Sequence, residues 1–493
     1  MRKPARLASP LLAVLLLASP AIAADASPAD TLSAQDIATL KAQIAQLTKK
    51  VDQLEALSKK TPPTITTGAT STTTSQNIPV AATTTPRSSP IAAVSAEDVV
   101  TKGTLPGSFR VPGTDTSVKI GGYVKLDAIE DTGESYGQSY AHFFEIPLKN
   151  SIQSQQSSQT TFGAQQSRIN LETSTPSRFG EIRTFIEGDF FGSSAANSNT
   201  NAYGFALRHA YGSVGSPVTG QVLAGQTWSN FMDVAAMPET LDYIGPAGTL
   251  FVRQPQIRYT HALGPVTLSG SVEVAGNSIQ STQNVVDAIT NSATAPTAAT
   301  ARTQMPDMIV HAQYDYAKDG YIGLRALANQ INVDHTATDN NDTETKYGYG
   351  VAVSGKQGFW TKDNVNYDVV VGNGTGRYAY DIGGAGAYTN TTTNVLKTTP
   401  YYGGTFGFQH YWSNEFRSNV FGGMVHLVDD RSIMNSTISA AANKFVASGH
   451  ANLIWQPVAS YKVGIEYMHG YRKTESGIEG NLDRTEASFI YSF

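Results

Sequence analysis

Cysteine is absent from all 493 residues. That excludes a disulfide scaffold, thiolate metal sites and a cysteine nucleophile. Charge is scarce as well: Asp, Glu, Lys and Arg make up 15% of the chain, against about 25% in ordinary soluble domains. The hydrophobic share is only 40%, so Thr, Ser, Asn, Gln and Gly take the place of charge. No long apolar run occurs after the start, which excludes a bundle of membrane-spanning helices. A net charge of −5 lacks the basic excess of a nucleic-acid binder, so no nucleic-acid partner is expected.

What is present divides into four stretches. Arg2, Lys3 and Arg6 precede an apolar segment from Leu11 to Ala18, and Ala21-Ile22-Ala23 follow. This is the pattern of a secretory signal peptide, residues 1–23. In residues 24–60, Ile37, Leu40, Ile44, Leu47, Val51 and Leu54 recur at spacings of 3 and 4. That is a heptad seam and predicts a short α-helical coiled coil, whose β-branched a positions and Leu d positions favour two strands. Residues 61–107 are rich in Thr, Pro and Ser, with no periodicity that could bury a core, and read as a linker. Residues 108–493 are expected to form the folded domain.

That domain shows one signal repeatedly: period-2 alternation rich in β-branched and aromatic residues. In its first segment Val118, Ile120, Val124, Leu126 and Ala128 alternate with Lys119, Tyr123, Lys125 and Asp127. Sixteen such segments of about ten residues follow one another. Tight turns such as Gly264-Pro265 and Lys318-Asp319-Gly320 alternate with long loops at about 130–166, 191–204, 229–251, 275–306, 331–345, 373–400, 425–447 and 470–483. An even number of strands with short turns at one end and long loops at the other predicts an all-β, 16-stranded antiparallel transmembrane β-barrel. In lipid a β-structure must close, because every backbone polar group needs a partner within the protein. The final strand alternates Thr485, Ala487, Phe489 and Tyr491 with polar residues and ends on Phe493. It resembles the assembly signal of Gram-negative outer-membrane barrels.

Four runs carry a more specific resemblance: SFRVPGTDTSVKIGGYVKLD (108–127), LRHAYG (207–212), LAGQTWSNFMD (223–233) and FVRQPQIRY (251–259). Together they resemble the DcaP family of outer-membrane porins. The resemblance implies a homotrimer with a periplasmic coiled coil, which overrides the two-strand preference of the heptads. It also implies passive uptake of small organic anions, dicarboxylates and aromatic acids among them. The lipid and lipopolysaccharide of a Gram-negative outer membrane become the surroundings; the coil and the Thr-rich stretch, read by themselves, could tether the barrel to peptidoglycan.

A porin filters by pore width, lining charge and lining hydrogen bonds. Lys125, Arg168, Arg183, Arg208 and Arg258 share the polar face of early strands, and Arg253 lies just before the sixth. They are candidate pore-lining, anion-binding groups, because a guanidinium fork matches a carboxylate. The opposing reading is neutralisation by Glu172, Glu181, Glu187 and Asp189 on the same strands. After residue 101 the chain keeps 26 basic and 33 acidic residues, a net charge of −7, so composition alone does not favour anions. The loop at 229–251 is the candidate constriction, carrying Trp228 at its start and then Asp233, Glu239, Asp242 and Tyr243.

No metal or cofactor motif is present, and none is expected. Four other readings remain. A general, non-selective porin or a barrel that tethers the membrane to the cell wall would share the architecture. An enzyme barrel would need a Ser–His pair or acidic dyad on adjacent strands, which the sixteen segments do not supply on inspection, so no enzyme is expected. A sugar porin would need lumen aromatics in a line, and along the sequence they are scattered.

Overall fold

In the computed structural model the described residues are 100–132, 139–155, 158–192, 202–276, 279–281, 300–302, 304–334, 343–382, 386–390, 395–428 and 442–493. The expected signal peptide and coiled coil lie outside them, as does most of the expected linker. Among the described residues there is no α-helix, only single 3₁₀ turns such as Phe143–Glu145, Val234–Ala236 and Gly376–Tyr378.

The chain builds one closed antiparallel sheet, beside a small three-stranded sheet of Ile279–Ser281, Ala387–Asn390 and Val395–Thr398. The first strand is β1 (Ser117–Thr132). It pairs with β2, whose two segments are Ser158–Gly163 and Arg168–Ser177. β3 (Gly180–Gly192), β4 (Gly204–Ser216), β5 (Gly220–Trp228), β6 (Arg253–Leu263) and β7 (Val266–Glu273) follow as neighbours. Next come β8 (Asp307–Ala317), β9 (Gly320–Asp334), β10 (Thr343–Phe359), β11 (Asp363–Asn373) and β12 (Pro400–Tyr411). The last four are β13 (Phe416–Leu427), β14 (Asn443–Val458), β15 (Tyr461–Thr474) and β16 (Glu479–Ser492). β16 pairs back onto β1, from Asp483 opposite Thr132 to Ser492 opposite Tyr123. Sixteen strands therefore close without an edge, which removes unpaired ladder groups from the lipid.

Burial is inverted relative to a soluble protein. On β1, Ile120 and Val124 are 58% exposed, whereas Lys125 is 1% exposed and Asp127 and Asp131 are buried. On β16, Phe489 and Tyr491 are exposed while Arg484, Glu486 and Ser488 are buried. Exposed apolar and buried charged faces on one strand are the mark of a wall with lipid outside and a polar lumen inside.

Two expected boundaries move. The loop expected at 470–483 is only 475–478, because β15 and β16 stay paired out to Lys473 opposite Glu479. At the other end of the domain, Thr101–Lys102 pairs with Phe109–Arg110, and Phe109 sits opposite Val118 of β1. The Thr104 N–H donates to Ser117 Oγ at 2.9 Å, so the last linker residues already belong to the barrel's rim.

Candidate functional site: a lumen crossed by loops

The connection from β5 to β6, residues 229–252, turns into the barrel and packs there. Phe231, Ala236, Leu241, Ile244 and Ala247 are all buried. Polar side chains of the wall hold it along its whole length. Asp233 accepts from Tyr321 Oη at 2.9 Å and Ser354 Oγ at 2.6 Å. Glu239 accepts from Arg417 Nε and Nη2, both at 2.6 Å, and from Lys462 Nζ at 3.4 Å. Burial raises the Glu239 carboxyl pKa, but these cations outweigh it and hold the group below the ordinary carboxylate value. Glu466 accepts the Leu241 N–H at 2.7 Å and the Thr240 hydroxyl at 2.8 Å. The loop could not seat against larger residues at its crossing: a Cβ on Gly423 would lie 2.2 Å from the Ala247 carbonyl oxygen.

Two further loops meet the first. Asp242 accepts the Ala141 N–H of the β1–β2 loop at 2.8 Å, and also caps the Ile244 and Gly245 N–H groups. The β11–β12 loop lies along residues 248–251, with Leu250 bridged to Ala379 and the Phe251 N–H donating to Tyr378 O at 3.1 Å. Asp381, fully buried, accepts the Gly248 N–H at 3.0 Å. Burial pushes its carboxyl up to about 7; the Gly248 bond opposes that shift and the nearby Asp242 adds to it. Because its pKa is raised above the unfolded value of about 4, the native state binds the extra proton between pH 4 and 7. Its contribution to stability is therefore full below pH 4 and is lost as pH rises through 7. We expect the melting temperature in detergent to fall from pH 5 to pH 8, and the fall to be smaller in Asp381→Asn. An identical pH slope in both proteins would refute this role.

The loops gather aromatic rings that are far apart in sequence. Tyr140, Tyr243, Phe251, Tyr380 and His142 form a circuit with successive ring centroids 5.2, 5.9, 6.0, 5.6 and 4.3 Å apart. This corrects the expectation of scattered lumen aromatics. A cavity of about 370 Å³ lies beside them, lined by Tyr140, Phe251 and Tyr380 and by Asp189, Arg208 and Arg253.

A bulge delivers the central arginine. In the β3–β4 ladder Glu187 faces His209, but Gly188 faces Leu207, so Arg208 is the extra residue. Arg208 and His209 are therefore buried side by side instead of alternating. Arg208 Nε donates to Glu187 at 2.8 Å, and its Nη1 to Asp189 at 2.7 Å and to Tyr243 Oη at 2.6 Å. Beside it the β4–β5 ladder stops at Ala210 opposite Gln226, while β5–β6 continues to Trp228 opposite Arg253. Gln226 Nε2 bridges the interval, 3.4 and 3.3 Å from the Leu207 and Arg208 carbonyl oxygens.

The candidate cations now separate. Lys125 lines no open pore: buried, it is 3.0 Å from Asp127 and 3.4 Å from Glu486, and donates to Leu241 O and Gln166. Arg183 pairs with Glu181 at 2.8 Å near the short turn. Arg168 lies 3.9 Å from Glu187 and over the Tyr123 ring. Arg258 donates to Gln256 at 2.9 Å and to Trp228 O at 2.5 Å. Arg253 donates through Nη2 to Tyr243 Oη at 3.0 Å and stacks 4.9 Å from the Trp228 ring. Its Nη1 is buried and makes no hydrogen bond. Among the described residues neither Arg253 nor Arg258 forms an ion pair with a carboxylate. Neutralisation thus accounts for Arg183 and Arg208, and leaves Arg253 as the cation that lines the cavity without a carboxylate partner. Asp233, Glu239 and Asp242 are fasteners of the loop, and only Tyr243 reaches the cluster.

The structure also assembles the Ser–His pair that inspection of the strands did not. Ser448 Oγ lies 2.9 Å from His450 Nε2, and His450 Nδ1 lies 2.9 Å from Glu466 Oε1. That is the contact order of a nucleophile–base–acid relay. Here, however, Ser448 Oγ receives the Ala247 N–H at 2.8 Å, His450 and Glu466 are buried, and Glu466 holds Thr240 and Leu241. The chain of contacts anchors the loop. Among the described residues no three His, Asp or Glu side chains converge as a metal site.

Comparison with known proteins gives consistent findings. The family model described as DcaP outer membrane protein matches residues 108–493. The crystal structure of the outer membrane channel DcaP of Acinetobacter baumannii superposes with a TM-score of 0.65 at 23% identity, over 78% of this chain and 100% of that one. An anion-selective porin from Comamonas acidovorans gives 0.51 at 10% identity, over 77% and 100%. No curated protein sequence matches.

Proposed function

Because the chain belongs to the DcaP outer membrane protein family, a family of outer-membrane channels, we propose that it passes small organic anions by passive diffusion. The observation that carries this is Arg253. Arg253, which no carboxylate neutralises among the described residues, and Tyr243, whose hydroxyl it holds, line a cavity of about 370 Å³ walled by aromatic rings. A carboxylate there meets a guanidinium fork, and an apolar body meets ring faces. Held over Trp228 and Phe251, the guanidinium is prepositioned and keeps its charge at any working pH.

In a planar bilayer with a KCl gradient, the channel should show an anion-signed reversal potential. Arg253→Ala should reduce the anion-to-cation permeability ratio on the order of tenfold, the low end of the roughly 1.5–3 kcal/mol of a charge-assisted hydrogen bond. A cation-signed potential in the unmodified channel would sink the anion reading. A potential near zero would favour the non-selective porin, which the net charge of −7 beyond residue 101 supports.

We propose further that three copies assemble, as the family resemblance implies, and that residues 24–60 form their periplasmic coiled coil, which the heptad seam supports even though its a and d residues alone favour two strands. Roughly 27 helical residues would reach about 40 Å, towards the cell wall. Deleting residues 24–100 should spare conductance in folded barrels. Loss of channel activity in folded barrels would contradict that division of labour.

A further inference from the structure

The arginine cluster already contains a carboxylate in the position that a permeating anion would take. Asp189 is 1% exposed, yet its side chain lines the cavity. Its Oδ2 accepts from Arg208 Nη1 at 2.7 Å and from Tyr243 Oη at 3.0 Å. Its Oδ1 accepts the Phe191 N–H at 3.1 Å, which fixes the carboxylate plane. Tyr243 thus gives its one proton to Asp189 and receives N–H groups from Arg208 and Arg253. A soluble carboxylate would seek these same donors.

We propose that Asp189 is the specificity-determining residue of the channel: an internal carboxylate that competes with the permeating anion for Arg208 and Tyr243. The inference rests on the anion reading above and sharpens it. Arg168, Arg208 and Arg253 carry three positive charges, and Glu187 and Asp189 carry two negative ones. The cluster is left with a single excess charge, centred on Arg253. Removing the Asp189 charge doubles that excess and weakens the hold on two donors, Arg208 Nη1 and Tyr243 Oη. Glu187 touches Arg208 Nε and stands 3.9 Å from Arg168, but makes no bond to Tyr243, so its removal frees less. The arrangement keeps binding weak enough for release, which conduction requires.

The experiment compares the unmodified channel, Asp189→Asn, Glu187→Gln and Arg253→Ala in planar bilayers, with succinate added as a blocker of KCl current. Asp189→Asn should raise the anion-to-cation permeability ratio and lower the half-blocking succinate concentration on the order of tenfold, the scale of a close charge pair. Glu187→Gln should move both in the same direction by less. Asp189→Ser, neutral and still able to accept the Phe191 N–H, carries the same expectation if the Asn variant does not fold. A gain in selectivity separates this role from a structural one, since a loosened site would lose selectivity. Unchanged or reduced anion preference in folded Asp189 variants overturns the proposal, whatever the unmodified channel does. The anion reading itself stands or falls on the unmodified channel and Arg253→Ala.

Discussion

Lys125→Met is expected to destabilise the barrel by about 3–5 kcal/mol, the usual result of removing one partner from a buried ion pair. The Lys125 ammonium lies between Asp127 at 3.0 Å and Glu486 at 3.4 Å, and all three residues are buried. It also donates to the Leu241 carbonyl at the inner reach of the constriction loop. Methionine fills the space but leaves two carboxylates facing each other, with Glu486 Oε2 already lacking any hydrogen bond. Thermal unfolding in detergent should show the loss. Adding Glu486→Gln should recover much of it, because the uncompensated charge is then gone. A double variant no more stable than the single one would show that Lys125 acts through something other than this pair.

The second large effect is expected from Glu466→Ala. That one carboxylate receives the Leu241 N–H, the Thr240 hydroxyl, His450 and Asn452. Alanine leaves three buried groups and the half-buried Thr240 hydroxyl without their acceptor, at about 1–3 kcal/mol for each buried donor that finds no other partner. The loop should detach from β14 and β15, so single-channel conductance should rise and selectivity should fall together. Glu466→Gln, which keeps one acceptor oxygen, should fall between. Conductance equal to the unmodified channel in folded Glu466→Ala barrels would mean that the remaining fasteners at Asp233 and Glu239 are enough.

The wall of the barrel was legible in the sequence because its signal is local. Ile120, Val124 and Leu126 alternate with Lys125 and Asp127 within one strand, and lipid and lumen impose that period directly. The site was legible only in part. Arg208 and its acidic partners could be named because they sit on neighbouring strands. That Arg208 and His209 both turn inward could not be read, since a bulge breaks the alternation on which the reading depends. Arg253 lies on the alternation face of the exposed Ile257, and only its neighbours Tyr243 and Trp228 bring it to the cavity. The fasteners were out of reach for a different reason. Glu239 and Arg417 are 178 residues apart, and Lys125 and Glu486 are 361 apart. Nothing in spacing links such pairs until the strands have closed. The aromatic circuit was hidden in the same way, its rings being drawn from three separate loops.

The distance between Leu241 and Glu466, 225 residues, also sets a clock. The loop leaves the wall after β5, but its holders Tyr321, Ser354, Arg417, Ser448 and Glu466 are on β9, β10 and β13–β15, and Lys125 on β1 gains Glu486 only when β16 arrives. Contacts across such separations come late, because chain closure must be achieved before they contribute. The filter is therefore expected to be completed only after the late strands have joined the wall. A barrel halted before its final strands would be a hole without a sieve, and completion of the wall and arming of the sieve are one event.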